Sequence, residues 1–277
     1  MADQRIKPGP IITKSNNPNI HQIMKTTTLK NAFLAAMLAF GTVTAQAQVY
    51  PTAIGSATTN ANPYFYAGKL SMTFRTSSGL EQNYVGTATT IKPYSALTAG
   101  HCVYDSSMGW MRRATFERAR YYSTSASRNT VTRAWVIGGY TSNAGSDGSN
   151  SYTGFSYDAG AVVCSTRPGG GGYAGWSTNT SLLTGTAYNM SLGYGAEYHN
   201  GLEMLRSAPT RGFTRGTGAF YTNTSYRIEG GMSGGPVFAR SGTTWYVCAI
   251  NVAGTGLLAG VRALDSATTG LIQNNLP

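Results

Sequence analysis

The chain predicts an all-β protein built as two six-stranded antiparallel barrels with a cleft between them. Three observations predict it. Gly, Ser, Thr and Tyr are abundant while charged residues make up only 11% of the sequence. Short runs of β-formers are broken by turn residues at close intervals. No long segment shows the 3.6-residue periodicity of an amphipathic helix that would compete with them.

The runs that read as strands are residues 69–75, 84–91, 95–98, 131–137, 159–164, 188–192, 202–207, 235–239, 244–252 and 257–262. Helical pattern is confined to a weak stretch at 110–122 and a short C-terminal segment at 266–273. Pro168 is followed by four consecutive glycines, which favour no regular element, so the boundary between the barrels is expected there. The expected division is 48–168 for the first barrel, 169–175 for a Gly-rich linker and 176–277 for the second barrel. Each half then has roughly 100–120 residues, enough for a small barrel and short of a separate large domain.

The first 47 residues stand apart from this pattern. From Met24 the chain runs through a basic stretch (Lys25, Lys30), an apolar core from Ala32 to Phe40, and small residues ending Ala45-Gln46-Ala47. That three-part order predicts a secretory signal peptide over 24–47 with cleavage after Ala47. Its apolar core falls short of the roughly 20 residues that a membrane-spanning helix needs, and a buried helix is the less apt alternative. Residues 1–23 are polar, rich in Pro and Asn, and expected to form no structure. The mature protein is thus expected outside the cytoplasm, extracellular or periplasmic, with no membrane attachment after signal removal.

The full chain carries a net charge of +11, and the part beyond Ala47 retains +7. Its arginines are scattered except for Arg112, Arg113, Arg118 and Arg120, a group that reads as a solvated face, so no nucleic-acid partner is expected. Cys102, Cys164 and Cys248 cannot all pair within one chain, and Cys164 and Cys248 lie in apolar strand-like runs where buried free thiols fit. No metal-ligand spacing is present, and neither a metal nor an organic cofactor is expected.

The chemistry concentrates in three places. Ser233 lies in Gly230-Gly231-Met232-Ser233-Gly234-Gly235-Pro236, just before the apolar pair Val237-Phe238. A serine that attacks a carbonyl needs amide N–H groups aimed at the oxygen that becomes an anion, and a turn without side chains lets a substrate approach that closely. Gly231 and Ser233 are the expected donors of this oxyanion hole. His101 ends the run Tyr94-Ser95-Ala96-Leu97-Thr98-Ala99-Gly100-His101, which presents an imidazole at a strand mouth. Beyond Ala47 its only rival as general base is His199, in a polar loop where exposure to solvent explains it. Asp158 opens the apolar run Ala159-Gly160-Ala161-Val162-Val163 and can accept the Nδ1–H of a histidine; Asp105 and Asp147 lie in loop-like sequence and are weaker candidates.

The segments "LTAGHC", "YDAGAVV" and "GGMSGGPVF" resemble the His, Asp and Ser motifs of trypsin-like serine peptidases. "SLGYGAEYHNGLEML" and the compact spacings of 57 and 75 residues between the three positions are similar to the bacterial glutamyl-endopeptidase branch. The resemblance spans most of 84–255 and implies the chymotrypsin-like fold, a catalytic site of His101, Asp158 and Ser233, and protein or peptide substrates cleaved by a monomer. It also marks departures. Met232 stands where trypsin-like enzymes carry the aspartate that captures a freed N-terminal amine, and Gly86 stands where many relatives have the partner of Cys102. The resemblance places Arg227, Ile228 and Asn251 at the pocket for the residue preceding the scissile bond, with Asn251 replacing the histidine of the glutamyl branch, which argues against strict glutamate selectivity. Arg227 could attract an acidic side chain or point to water.

Three other readings fit less well. Gly231-Met232-Ser233-Gly234-Gly235 matches the G-x-S-x-G elbow of α/β-hydrolases, but no histidine follows Ser233 as that fold requires. A repeat-type adhesin would show a fixed period, and none is found. A catalytically silent scaffold acting as a secreted binding protein is the remaining alternative, and the presence of all three catalytic residue types argues against it.

Overall fold

The computed structural model describes residues 2–5, 50–145, 151–197, 199–225, 227–254, 258–274 and 276–277. The expected signal peptide at 24–47, Asp147 and Leu257 lie outside them. Among the described residues no helix is long and apolar enough to cross a membrane.

The first sheet contains β3 (Ala67–Arg75), β4 (Glu81–Lys92), β5 (Ser95–Thr98), β8 (Arg113–Arg118), β9 (Ser127–Val136) and β10 (Gly160–Cys164), after the two-residue strands β6 (Tyr104–Asp105) and β7 (Gly109–Trp110), which pair only with each other. Its order is β9-β10-β5-β4-β3-β8, and β8 pairs back onto β9, so six antiparallel strands close into a barrel. Alternation along β3 makes the inside apolar: Leu70, Met72 and Phe74 are buried in the core with Ile91, Leu97, Phe116 and Val136.

The second sheet has eight strands and, among the described residues, no pairing that closes it into a second six-stranded barrel; its middle six are β11 (Asn189–Gly193), β12 (Leu205–Arg206), β14 (Phe220–Asn223), β15 (Pro236–Ser241), β16 (Thr244–Gly254) and β17 (Ala259–Ala263), in the order β14-β17-β16-β15-β11-β12. Two-residue strands extend it at either end, β13 (Thr214–Arg215) on β14 and β2 (Thr52–Ala53) on β12. Residues 52–53, within the segment assigned to the first barrel, are thus hydrogen-bonded to the second sheet. The predominantly β, chymotrypsin-like architecture expected from the sequence is the one found.

The halves are fastened at several points. Gly169–Gly172 forms a turn. After it, Ala174 N donates to Thr90 O of β4 and Val247 N of β16 donates to Gly175 O, so this short segment touches both sheets. The C-terminal helix, Ser266–Asn274, follows the second sheet and returns the chain end to the first, where Lys92 Nζ donates to Leu276 O at 2.6 Å. Phe155, ahead of β10, stacks on Phe220 of β14 with ring centroids 5.3 Å apart.

Three local expectations are corrected. The stretch 110–122 is not helical: Arg113–Arg118 is β8. Its alternation is hidden because Glu117 and Arg118, both charged, are buried. Arg118 is buried because its guanidinium lies 3.5 Å over the Phe65 ring and bonds to the carbonyls of Pro168 and Phe65. The basic group is therefore divided: Arg118 is buried and Arg120 is partnered by Glu117, whereas Arg112 and Arg113 are exposed, Arg113 in a surface pair with Glu81. Finally, Ala2–Arg5, in a segment expected to be unstructured, is β1 and pairs with Arg133–Val136 of β9. Past Thr130 the strand β9 has left β8, so that edge offers unpaired backbone groups to any extended segment.

Candidate active site

His101 sits in a single 3-10 turn, Gly100–Cys102, directly after β5. Asp158 caps the helical turn Tyr152–Tyr157 and precedes β10. Because β5 and β10 are antiparallel neighbours with Thr98 opposite Gly160, the end of one strand lies beside the start of the other, and the two residues meet. Asp158 is fully buried, and both of its oxygens engage His101: Oδ2 lies 2.7 Å from Nδ1, and Oδ1 accepts the backbone N–H at 2.9 Å. Two contacts fix the imidazole in rotation and in position, and they put the proton on Nδ1, leaving Nε2 as the basic nitrogen.

Burial disfavours a charged imidazole, but the Asp158 carboxylate and then the Cys102 thiol outweigh it, holding the His101 pKa well above the ordinary histidine value. The imidazole retains 15% exposure, so one edge stays open to a reacting group.

Ser233 is partly accessible at the tip of the turn that precedes β15. Gly231 and Gly234 give the turn its shape, with φ of +98° and +81° in the left-handed region. Side chains are excluded there by contact as well: a Cβ on Gly234 would stand 2.1 Å from Thr98 Oγ1, and one on Gly231 would stand 2.4 Å from Tyr194 O. Met232 N donates to Glu229 O and Gly235 N to Met232 O, whereas the amides of Gly231 and Ser233 donate to no group among the described residues. Those two N–H groups are the ones available to an external oxygen.

The serine turn is docked on the first barrel beside the histidine. Thr87 N of β4 donates to Ser233 O at 2.8 Å, and Thr87 Oγ1 donates to Gly231 O at 2.9 Å while accepting Tyr194 N. Cys102, the residue after His101, points its Sγ at Ser233 O, 3.6 Å away. Among the described residues no hydrogen bond joins Ser233 to His101. Such bonds are commonly long without substrate and tighten when it binds.

The pocket residues fare differently. Asn251 is fully buried, and its side chain is consumed internally: Nδ2 donates to Leu192 O and Met232 O, and Oδ1 accepts from Ser191 Oγ. Asn251 therefore braces the serine turn from β16 and does not line a pocket for substrate. Ile228 is buried against Gly254. Arg227 is half-buried, and its guanidinium lies 4.6 Å from the Tyr50 ring centroid and donates to the Tyr50 hydroxyl, so it does not simply point to water.

His199 also departs from expectation. Its Nδ1 lies 3.1 Å from Oε1 of the buried Glu229, two residues before Gly231. Sequence reasoning passed over Glu229 and Thr87, since nothing local marks a glutamate before two glycines as buried or a threonine within a β-run as a tie between barrels. Asp105, the weaker acid candidate, caps its own turn by accepting from Ser107 and Met108 amides. All three cysteines are free and buried, and burial pushes the thiols of Cys164 and Cys248 up to about 12. Gly86 lies against Cys102 Sγ, where a Cβ would come within 2.9 Å of the sulfur.

Comparison with known proteins follows the same lines. No family model matches the chain. A glutamyl endopeptidase of Bacillus licheniformis is 30% identical over 165 residues, 54% of this chain and 44% of that protein, so the chain spans less than half the length of that relative. Among solved structures, a Glu endopeptidase complex is similar with a TM-score of 0.63 at 20% identity over 80% of this chain and 94% of the other. The protease Anisep from Arthrobacter nicotinovorans gives 0.59 at 20% identity over 74% and 93%. The thermostable serine protease AL20 gives 0.56 at 19% identity over 74% and 94%. The sheet order, the closed first barrel and these similarities together give this chain the chymotrypsin-like fold of the serine peptidases.

Proposed function

We propose that the protein is an exported serine endopeptidase in which His101, held by Asp158, activates Ser233. The observation that carries this reading is the doubly bonded His101–Asp158 pair, at 2.7 and 2.9 Å, standing beside a glycine-shaped serine turn that is anchored to the same barrel. The two halves, 48–168 and 176–277, contribute the base with its acid and the nucleophile respectively.

In this mechanism Nε2 of His101 takes the Ser233 hydroxyl proton as Oγ bonds to the peptide carbonyl carbon. The carbonyl oxygen, now anionic, is received by the Gly231 and Ser233 amides, which have no acceptor among the described residues. The C–N bond then breaks, His101 delivers its proton to the leaving amine, and an acyl-enzyme remains on Ser233. Water, deprotonated by the same imidazole, hydrolyses the ester and restores the serine. Asp158 holds the Nδ1 edge of His101 and stabilises the imidazolium. Every proton is passed between side chains and reactants, so no cofactor is invoked.

Export as a monomer after removal of 24–47 is the setting we infer, on the three-part order of that segment. At the acyl side, Arg227 remains the residue suited to an acidic side chain, although a substrate must displace or share the Tyr50 contact. The test is hydrolysis of an internally quenched peptide library by purified mature protein, with Ser233→Ala as control. Cleavage at internal bonds that is lost in the variant is expected; equal hydrolysis by both proteins would overturn the proposal.

A further inference from the structure

Lys69 is a buried cation that, among the described residues, makes no hydrogen bond or ion pair of its own. On β3 it alternates with the core residues Leu70 and Met72, so it belongs to the outer face of the first barrel, yet it is only 6% exposed. The loop that contains His199 folds over it: a Cβ on Gly201 would stand 3.3 Å from Lys69 Nζ and 3.0 Å from Val85 Cγ1. Among the described residues its ammonium makes no hydrogen bond and no ion pair. Glu117, opposite Lys69 on β8, is already engaged by Arg120 at 2.6 Å, with Arg128 at 3.9 Å. Three cations thus surround one carboxylate, and the Lys69 pKa is drawn below its ordinary value by burial first and by Arg120 second, against the pull of Glu117.

A buried charge without a partner is costly, and a compensating anion relieves that cost. Lys69 borders a cavity of about 360 Å³ that runs along the outer face of the barrel past Ser71, Asn83 and Val85. Its position relative to the serine turn is fixed by register. Thr87, which holds both Gly231 O and Ser233 O, is the residue directly opposite Lys69 across the β3–β4 pair. Directly opposed residues have Cβ atoms about 5 Å apart. Lys69 therefore sits on the strand next to the one that holds the nucleophile turn.

We propose that Lys69 is the centre of an anionic subsite on the leaving-group side of the scissile bond, receiving the carboxylate of an aspartate or glutamate that follows that bond in the substrate. The inference rests on the proteolytic reading: if the residue before the bond lies toward the second half, the departing chain crosses β3 and β4, where the unpaired ammonium waits. It is separate from any preference that Arg227 confers.

The test uses C-terminally amidated, internally quenched peptides that share all residues before the cleaved bond and carry Glu or Gln at one of the first three positions after it. Amidation removes the terminal carboxylate as a source of binding. The wild type is expected to favour Glu over Gln at one position by about tenfold in kcat/KM. Lys69→Met should bring the ratio near one, Lys69→Arg should retain it, and Glu117→Gln, which leaves more positive charge uncompensated, should raise it. A ratio near one in the wild type at all three positions, or a ratio preserved in Lys69→Met, overturns the proposal, as does a Glu117→Gln ratio that falls. Binding of the same peptides to Ser233→Ala, read by fluorescence anisotropy, separates this failure from failure of the proteolytic reading. Stronger binding of the Glu peptide that Lys69→Met abolishes supports the subsite even without cleavage, and equal binding of Glu and Gln peptides counts against it.

Discussion

At Asp158, which is fully buried, both carboxylate oxygens engage His101, one at its ring and one at its backbone N–H. The consequence for His101 has a definite sign. Its pKa is raised, so the free base becomes abundant only at a pH above the 6.5 of an ordinary imidazole. The acidic limb of the kcat/KM profile should therefore have its midpoint above 6.5, and in Asp158→Asn, where burial acts without the opposing carboxylate, it should move to lower pH as the rate falls by on the order of 10⁴. A pH–rate series on both proteins checks this; coincident midpoints would refute the electrostatic assignment. The same linkage touches stability: the pair contributes fully below the unfolded pKa of histidine, and the contribution is lost as pH rises through the higher folded value. Replacement of Ser233 or His101 by Ala should lower kcat by on the order of 10⁶. Asn251 belongs to a different class of residue. Asn251→Ala removes the donors to Leu192 O and Met232 O inside a buried contact, so unfolding in denaturant should register a loss of about 2–4 kcal/mol, with the order of preference among peptides unchanged.

Among the elements, the serine turn is the one whose construction the sequence announced most clearly. Four glycines around a serine before an apolar strand already specify a tight, side-chain-free turn, and two of them adopt the left-handed conformation. Ala67–Arg75 was likewise readable because its inner face, Leu70, Met72 and Phe74, is plain hydrocarbon, and Thr244–Gly254 because it is a continuous buried run that is apolar apart from Asn251. β8 was hidden because two adjacent charged residues in it are buried, Glu117 paired with Arg120 three residues on and Arg118 held by the distant Phe65 ring and the carbonyl of Pro168. β14 was hidden because Phe220–Asn223 is four residues long and takes its definition from pairing with β17. The partnership of His199 with Glu229 was equally out of reach, since it joins residues thirty apart through a fold-level contact. For the serine turn the expected outcome of Gly234→Ala is severe: its Cβ meets Thr98 Oγ1 and the backbone of Thr87 and Ala99 at once, and the residue must hold φ of +81°. The variant should lose activity and more than about 1–3 kcal/mol of stability together, whereas Gly242→Ala, at φ +59° in a hairpin turn with open space around it, should lose only a fraction of that.

Across the whole molecule, activity depends on two sheets keeping one alignment, because the base and acid lie on one and the nucleophile on the other. Arg262 is one of the buried ties between them, with Thr87. Only 1% exposed, it extends from β17 to donate to Ser156 O, two residues before Asp158, while also holding Ala263 O and both oxygens of Asp265. Arg262→Met keeps the volume and removes the donors, leaving two backbone carbonyls without their partner. We expect a loss of about 2–4 kcal/mol by chemical denaturation, together with a fall in kcat larger than the change in KM as the Asp158 segment loosens; unchanged kcat in a folded variant would show that the tie is irrelevant to alignment. The most direct measurement of the central claim is reaction of the purified mature protein with a fluorophosphonate, followed by mapping of the adduct by mass spectrometry. A single adduct on Ser233, formed by the wild type and absent from His101→Ala, is the predicted result. No adduct, or one formed on Ser233 as readily without the imidazole, would contradict it.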